Sequence, residues 1–284
     1  MSNKSPFVVS ADWLEEHLSE PGLSILDASW YLPGQNRDPR AEYDAAHISG
    51  AIFYDQDKIA DHSSGLPHTI PSAEDFVREA SAMGLTVDDT IVVYDGPGMY
   101  TAPRVWFLLR IMGAKKVFVL DGGFDRWKRE GRPVTADVTK IAPSTFSASL
   151  DLSRVASFEK MLQIVEDGSV QIADARAPGR FSGEEAEPRA GMRSGHMPGA
   201  RNVPVASLSK DGELKNLDEL KEIFDEAGVD LAKPVVTSCG SGVTAAVITL
   251  ALESLGHKGN FLYDGSWSEW GGRPDTPIET GKAA

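Results

Sequence analysis

The chain of 284 residues is 41% hydrophobic and 25% charged, a composition typical of a folded globular protein and not of a disordered or fibrous one. Its 42 Asp and Glu residues outnumber its 28 Lys and Arg residues, and the net charge of −14 disfavours nucleic acid and anionic membranes as partners. There is one cysteine, Cys239, which excludes an intrachain disulfide and a cysteine-rich metal site.

The first thirteen residues show neither the apolar core of a secretion signal nor the Arg-rich pattern of a transit peptide. The longest apolar stretch, residues 243–252, is about half as long as a bilayer-spanning helix. We therefore expect a cytoplasmic protein with no membrane association, in which this stretch forms a buried helix.

Short apolar runs alternate with helical patterns along the chain. In chain order, the patterns predict helices at 12–18, 73–83, 102–112, 158–165, 217–227 and 243–255. The clearest predicted strands are 90–94, 116–120 and 234–237, each bounded by Gly, Asp or Pro. Strands that alternate with helices are typical of an α/β fold with parallel sheets.

The sequence contains an internal repeat. Thr101-Ala102 and Asp121-Gly122 recur 143 positions later as Thr244-Ala245 and Asp264-Gly265. The repeat predicts an N-terminal domain over 1–135 and a C-terminal domain over 153–284, joined by a linker at 136–152 that lacks a helical period. The alternative is one large sheet with two similar halves.

Cys239 follows a predicted strand and precedes the predicted buried helix, with Gly240 and Gly242 between them. Such a turn lies at the carboxyl end of a parallel strand, where ligands of open α/β sheets bind. The glycines let successive N–H groups point inward, and the helix N-terminus adds positive potential, so the loop favours a thiolate. A phosphate-binding Cys-x5-Arg loop is excluded because Ala245 stands where the arginine would be. The remaining alternative is a buried structural cysteine.

Several motifs resemble those of a known family, the 3-mercaptopyruvate sulfurtransferases of the rhodanese superfamily. The motifs are residues 27–32 (DASWYL), 102–106 (APRVW), 120–123 (LDGG), 174–176 (DAR), 179–181 (GRF), 196–200 (HMPGA) and 239–245 (CGSGVTA). The resemblance implies two tandem rhodanese-like domains, each a parallel β-sheet flanked by helices. The second would be catalytic, and the first would lack the cysteine and supply a histidine and an aspartate. Gly96, at the position matching Cys239, agrees with this.

The resemblance also implies a reaction that needs no cofactor and no metal. Cys239 would attack the sulfur of 3-mercaptopyruvate, form a persulfide and release pyruvate. Thioredoxin, a small thiol or cyanide would then accept the sulfur. With one cysteine in the chain, the acceptor must be external.

Roles for individual residues follow from the same resemblance. Ser241, His68 and Asp57 would join Cys239 in catalysis, although Asp55 could take the place of Asp57. The residues expected to bind substrate are Arg180, Arg189, Gly240, Gly242, Val243 and Thr244. Trp30, Tyr100 and Arg104 either line the cleft between the domains or belong to the packing.

Two other functions remain open at this point. Thiosulfate sulfurtransferases share the fold, but thiosulfate carries its charge beside the transferred sulfur and calls for basic residues directly after the cysteine. Gly240 and Ser241 are uncharged, which favours mercaptopyruvate. A non-catalytic rhodanese-like binding module would not need to retain the cysteine loop.

Overall fold

The computed structural model describes residues 3–282, which form two α/β domains. The first contains the strands β1 (Val8–Val9), β2 (Leu23–Asp27), β3 (His47–Ile48), β4 (Ala51–Phe53), β5 (Thr90–Tyr94), β6 (Lys116–Leu120) and β7 (Val134–Thr135). Its helices are α1 (Ala11–His17), α2 (Pro39–Ala45), α3 (Ala73–Ala82), α4 (Ala102–Ile111) and α5 (Gly123–Arg129), with a 3-10 turn at Pro33–Gln35.

The second domain follows an irregular segment, residues 136–151, and a 3-10 turn at Leu152–Arg154. Its strands are β8 (Val155–Ala156), β9 (Gln171–Asp174), β10 (Ala200–Asn202), β11 (Ser209–Lys210), β12 (Glu213–Leu214), β13 (Val235–Ser238) and β14 (Asn260–Tyr263). Its helices are α6 (Phe158–Asp167), α7 (Pro178–Ser182), α8 (Val205–Leu208), α9 (Leu217–Glu226), α10 (Ala245–Ser254) and α11 (Ser266–Trp270).

The two main sheets have the same topology. Their strand orders are β1-β6-β5-β2-β4 and β8-β14-β13-β9-β10, and all neighbouring strands are parallel. β5 and β13 are therefore the central strands of their sheets. The loops that follow these two strands lie at corresponding carboxyl-terminal edges, which is where an α/β sheet places its ligands.

The predicted α/β class with two parallel sheets is confirmed, and so are the six predicted helices, within a few residues at their ends. The sequence patterns did not reveal α2, α5, α7, α8 and α11, all of them two turns or shorter. Helices this short show too few turns for a hydrophobic period to stand out.

The domains pack through two apolar helices, α4 from the first domain and α10 from the second. Both are buried around almost their whole circumference, and their side chains belong to one hydrophobic cluster with both sheets. A helix that is apolar on every side is stable only when it is enclosed. No helix within residues 3–282 is long and apolar enough to cross a bilayer.

The two domains differ in how they accommodate an acidic residue at the end of corresponding strands. In the second domain, buried Asp174 at the end of β9 is paired with buried Arg176, whose Nη2 lies 2.6 Å from Oδ2. In the first, buried Asp27 at the end of β2 accepts a hydrogen bond from the Ser29 amide at 2.9 Å, and position 29 supplies no cation. Burial accordingly raises the pKa of Asp27 from 3.8 to about 6.

This difference predicts that the free energy of unfolding depends on pH through Asp27. Between pH 3.8 and about 6 the folded state holds the Asp27 proton more tightly than the unfolded chain does. The free energy of unfolding should therefore fall as pH rises through this window, by about 3 kcal/mol from this group. Urea unfolding of Asp27→Asn between pH 4 and 7 should lack that fall, and exposed Asp88→Asn should retain it. An unchanged pH slope in Asp27→Asn would contradict the assignment.

Candidate active site

Cys239 lies directly after the central strand β13, in a loop that α11 holds from one side. The Cys239 carbonyl accepts a hydrogen bond from the Trp267 amide at 2.9 Å, and its own amide donates to Ser266 Oγ at 3.2 Å. The Gly240 carbonyl accepts from both the amide and the hydroxyl of Ser268, at 2.8 and 2.6 Å. The loop is thereby fixed, with the Cys239 side chain almost fully buried at its base.

The backbone N–H groups that follow Cys239 in this loop differ from its first two carbonyls. From Gly240 to Thr244 none of them donates a hydrogen bond to any residue in the described range 3–282. They precede α10, whose N-terminus adds partial positive charge. Clustered N–H donors of this kind form a binding site for an anion.

The corresponding loop of the first domain shows what such a backbone binds. There the carboxylate of Asp95, which is 1% exposed, accepts from the amides of Gly98, Tyr100, Thr101 and Ala102 at 2.6 to 3.0 Å. In the second domain the position of Asp95 is Ser238, whose buried hydroxyl has no partner among residues 3–282. An internal carboxylate thus fills the loop of the first domain, whereas the equivalent donors of the second domain are left open within the described chain.

The first domain has no room for a side chain at the position that matches the cysteine. A Cβ atom added to Gly96 would lie 2.4 Å from the hydroxyl of Tyr31. That hydroxyl is held by Glu42, at 3.1 Å. A cysteine therefore cannot replace Gly96 without displacement of the tyrosine, and the described structure offers one nucleophilic loop of this type.

A hydrogen-bonded chain reaches the Cys239 loop from the first domain. Nδ1 of His68 lies 3.2 Å from Oγ of Ser241, and Nε2 lies 2.9 Å from Oδ1 of Asp57. Trp30 donates to the other Asp57 oxygen at 3.0 Å and packs edge-on against the His68 ring. Serine, histidine and aspartate from the two domains are thus joined in one hydrogen-bonded line.

The choice between Asp55 and Asp57, which the sequence leaves open, is clear in the structure. Asp55 directs its carboxylate to the amides of Asp57 and Lys58, at 3.1 and 3.0 Å, and so closes its own turn. Asp57 faces His68. The hydrogen bond from His68 holds the pKa of Asp57 below its ordinary value, so this carboxylate is ionised at neutral pH.

Arg180 and Arg189 both reach the mouth of the loop. Arg180 is paired with Glu187, but its buried Nε has no partner within the described chain, and its Nη2 lies 3.1 Å from the place of a Cβ on Gly240. Arg189 donates to Ser268 at 3.3 Å and has no carboxylate within ion-pair distance among residues 3–282. Burial, with a further contribution from Arg180, lowers the pKa of Arg189 from its ordinary value. The arginines bring net positive charge to the pocket.

The other loop residues shape the pocket itself. Gly242 has φ of +77°, and a Cβ there would meet the Asp264 carbonyl at 2.8 Å, so the turn requires glycine. The pocket is small and lies between the domains. It is lined by Trp30, Leu32 and Tyr100 from the first domain and by Arg180, Pro188, Arg189, Cys239, Gly240, Ser241, Val243 and Thr244 from the second.

The structure adds residues that the sequence reasoning did not assign. Ser266 and Ser268 hold the loop from α11, and Asp264 approaches it from the end of β14. Of the two roles that the sequence left open for Tyr100, the structure shows the first, since Tyr100 lines the pocket, and burial together with the nearby Cys239 charge raises its pKa. The repeat could have pointed to Asp264, since it corresponds to Asp121. Within residues 3–282, no cluster of three or more His, Cys, Asp or Glu side chains suits a metal ion.

Comparison with known proteins identifies the family. The rhodanese-like domain family matches the chain twice, over residues 10–130 and 157–273. The chain belongs to the rhodanese family. Each match contains four of the five strands of one parallel sheet, so the duplicated topology is that of two rhodanese-like domains.

Relatives of this rhodanese protein are named for 3-mercaptopyruvate, for thiosulfate or for both donors. The 3-mercaptopyruvate sulfurtransferases of Escherichia coli K12 and Homo sapiens are 43% and 41% identical, over 95% and 97% of this chain and 97% and 96% of their own. A thiosulfate sulfurtransferase of Cricetulus griseus is 40% identical over 97% of this chain and 96% of its own. The crystal structure of an E. coli 3-mercaptopyruvate sulfotransferase has a TM-score of 0.85 at 40% identity, and covers 92% of this chain and 98% of that one.

The two rhodanese loops suggest a direct test of anion binding. Ser238→Asp should place a carboxylate on the amides of the Cys239 loop, as Asp95 does in the first domain. Its charge should also repel a neighbouring thiolate. We expect alkylation of Cys239 by iodoacetamide to slow at least about tenfold, because the thiolate is the reacting form. Ser238→Asn, similar in size and neutral, should alkylate at nearly the wild-type rate. Equal rates in both variants would contradict this interpretation of the loop.

Proposed function

We propose that this protein transfers sulfur from 3-mercaptopyruvate, through a persulfide on Cys239, to an external acceptor. The observation that carries the proposal is the meeting of three parts at one pocket. These are a buried thiol among unpartnered amides, a Ser241–His68–Asp57 line and an arginine that lacks an acidic partner in the described chain. Relatives at 41–43% identity named 3-mercaptopyruvate sulfurtransferase support it.

The first step breaks a carbon–sulfur bond. The Cys239 thiolate attacks the thiol sulfur of the substrate, a sulfur–sulfur bond forms, and the electron pair of the carbon–sulfur bond leaves as the enolate of pyruvate. The proton of the substrate thiol remains on the outer sulfur and is passed to the enolate carbon, which gives pyruvate and an anionic persulfide. Ser241, in contact with His68 at 3.2 Å, lies where this proton can be relayed.

The loop suits the product of this step. The outer sulfur of a persulfide is negative at neutral pH, and the amides from Gly240 to Thr244, which have no partner within residues 3–282, are available to donate to it. In the first domain the carboxyl group of Asp95 accepts hydrogen bonds from the corresponding amides. The same donors therefore stabilise both the attacking thiolate and the persulfide.

The arginines suit the organic part of the substrate. Mercaptopyruvate carries a carboxylate and a keto oxygen close to its sulfur, and a guanidinium can bind such a group through two parallel hydrogen bonds. Glu187 partly neutralises Arg180, whereas Arg189 has no such partner within residues 3–282. We assign the carboxylate to Arg189 and the keto oxygen to Arg180.

Sulfur leaves in a second step. An acceptor thiolate or cyanide attacks the outer sulfur, the sulfur–sulfur bond breaks, and its electron pair returns to Cys239 as thiolate. Because the chain has one cysteine, no second thiol of this protein can resolve the persulfide. Thioredoxin, a small thiol and cyanide are the candidate acceptors, and we place the reaction in the cytoplasm.

Thiosulfate transfer is a second candidate function, favoured by the Cricetulus griseus relative of that name. It requires positive charge beside the transferred sulfur, and the two residues after Cys239 are neutral. Mass spectrometry after brief exposure to each donor distinguishes the two. Mercaptopyruvate should add about 32 Da to the wild type faster than thiosulfate, and should add nothing to Cys239→Ser. Faster labelling by thiosulfate would overturn the proposed donor, and labelling of Cys239→Ser would overturn the proposed nucleophile.

Substrate binding by Arg189 predicts a specific kinetic defect. Arg189→Met should raise KM for mercaptopyruvate about 10- to 100-fold, since charge-assisted bidentate hydrogen bonds are lost. Arg78→Met is the control, because it removes an exposed guanidinium that is distant in sequence from Arg189. This variant should leave KM unchanged. Steady-state pyruvate release measures both. An unchanged KM in Arg189→Met would remove this residue from the substrate site.

A further inference from the structure

Arg104 is a charged residue placed in the middle of the apolar contact between the domains. It lies on α4 and is 3% exposed. Its guanidinium donates to the His68 carbonyl and to Asp264 Oδ1, both at 2.6 Å, and to the Gly242 carbonyl at 3.4 Å. One side chain of the first domain therefore contacts the backbone of His68 and two residues of the catalytic domain.

Asp264 completes this contact from the second domain. Its Oδ2 accepts a hydrogen bond from the Ile70 amide at 2.8 Å, and its Oδ1 accepts from Arg104. The segment from His68 to Ile70 is thus held at both ends, at one by the arginine and at the other by the carboxylate. The pair joins this segment to the side of the Cys239 loop where Gly242 lies.

The segment from His68 to Ile70 contains an unfavourable backbone conformation. His68 has φ of +60°, in the left-handed region that residues other than glycine rarely adopt. Such a conformation persists where surrounding contacts enforce it. Arg104 and Asp264 contact the segment at its two ends, and Thr69 between them exchanges two hydrogen bonds with Asp61. The His68 ring on this segment is the one that touches Ser241.

We propose that the buried Arg104–Asp264 ion pair is a positioning device for the reaction. It fixes His68 relative to the Cys239 loop, so that the Ser241–His68 contact between domains is set before substrate binds. The effect of this pair on catalysis depends on the proposed function. Neither residue is assigned a contact with substrate.

The repeat supplies a matched control. Asp121, at the position that corresponds to Asp264, accepts a hydrogen bond across the interface from the Leu214 amide at 2.8 Å. The two aspartates thus make reciprocal contacts between the domains, but only Asp264 also binds Arg104 and the segment that bears His68. A variant at Asp121 removes a hydrogen bond between the domains that does not involve the His68 segment.

Kinetics with mercaptopyruvate test the device. Asp264→Asn should lower kcat about 100-fold, the effect of a displacement of about 1 Å in a catalytic group, with KM altered less than about threefold because the arginine pocket is intact. Asp121→Asn should keep kcat within about twofold of wild type. Unchanged kcat in Asp264→Asn, or an equal loss in Asp121→Asn, would overturn the proposal.

A second variant protects the test against misfolding. Arg104→Met combined with Asp264→Leu removes both charges together, which leaves no unpaired buried charge and preserves stability better than removal of one partner. Urea unfolding should show a folded protein, and its kcat should fall as in Asp264→Asn. A folded double variant with wild-type kcat would overturn the positioning role.

Nitrogen-15 NMR of the histidine rings gives a readout that does not depend on activity. The His68 signals, identified by their loss in His68→Gln, should shift in Asp264→Asn and in the double variant, and stay in place in Asp121→Asn. If wild type released no pyruvate from mercaptopyruvate while these shifts occurred, the proposed function would fail and the positioning would stand. Unmoved His68 signals in Asp264→Asn would overturn the positioning alone.

Discussion

Backbone N–H groups that converge at a buried point cost free energy unless an acceptor, and preferably a negative one, meets them. The loops that follow β5 and β13 both impose this constraint, because each turns sharply from a central parallel strand into a buried helix. The first domain meets it with Asp95, which accepts from four amides. In the second, the amides from Gly240 to Thr244 have no acceptor among residues 3–282. The same turn is thus filled by an internal carboxylate in one domain and left open beside a thiol in the other.

The contact between the domains has chemical consequences as well as structural ones. The thiol belongs to the second domain and the His68–Asp57 line to the first, so the site exists only where α4 packs against α10. Most of that contact is apolar and makes no demand on orientation. Arg104 and Asp264 add directional contacts beside Asp121–Leu214 and Arg110–Glu253, because hydrogen bonds to a carbonyl and a carboxylate specify distance and angle.

The two domains share one topology but differ in the residues that fill the loop after the central strand. The first has lost the space for a nucleophile, since Tyr31 occupies it and Asp95 fills the loop. It also lacks the arginine that pairs with Asp174 in the second domain, and its Asp27 is consequently held with a raised pKa. These features are compatible with a domain that is selected to support a site on its neighbour.

The sequence by itself determined what depends on local order. Alternating strands and helices, the repeat, and the glycine-flanked Cys239 before a buried helix are all patterns within short windows, and the structure agrees with each. His68, Arg180 and Arg189 were named only by resemblance to a family, because a lone histidine or arginine carries no local signature of its role.

Only the tertiary structure decided which distant side chains meet. It directs Asp55 to its own turn and Asp57 to His68, a choice that two residues of the same chemistry could not reveal in sequence. It also joins Arg104 to Asp264 across 160 positions. Hydrogen bonds between domains depend on how two folded surfaces dock, and that geometry is set by the packed cores and not by the order of residues around either partner.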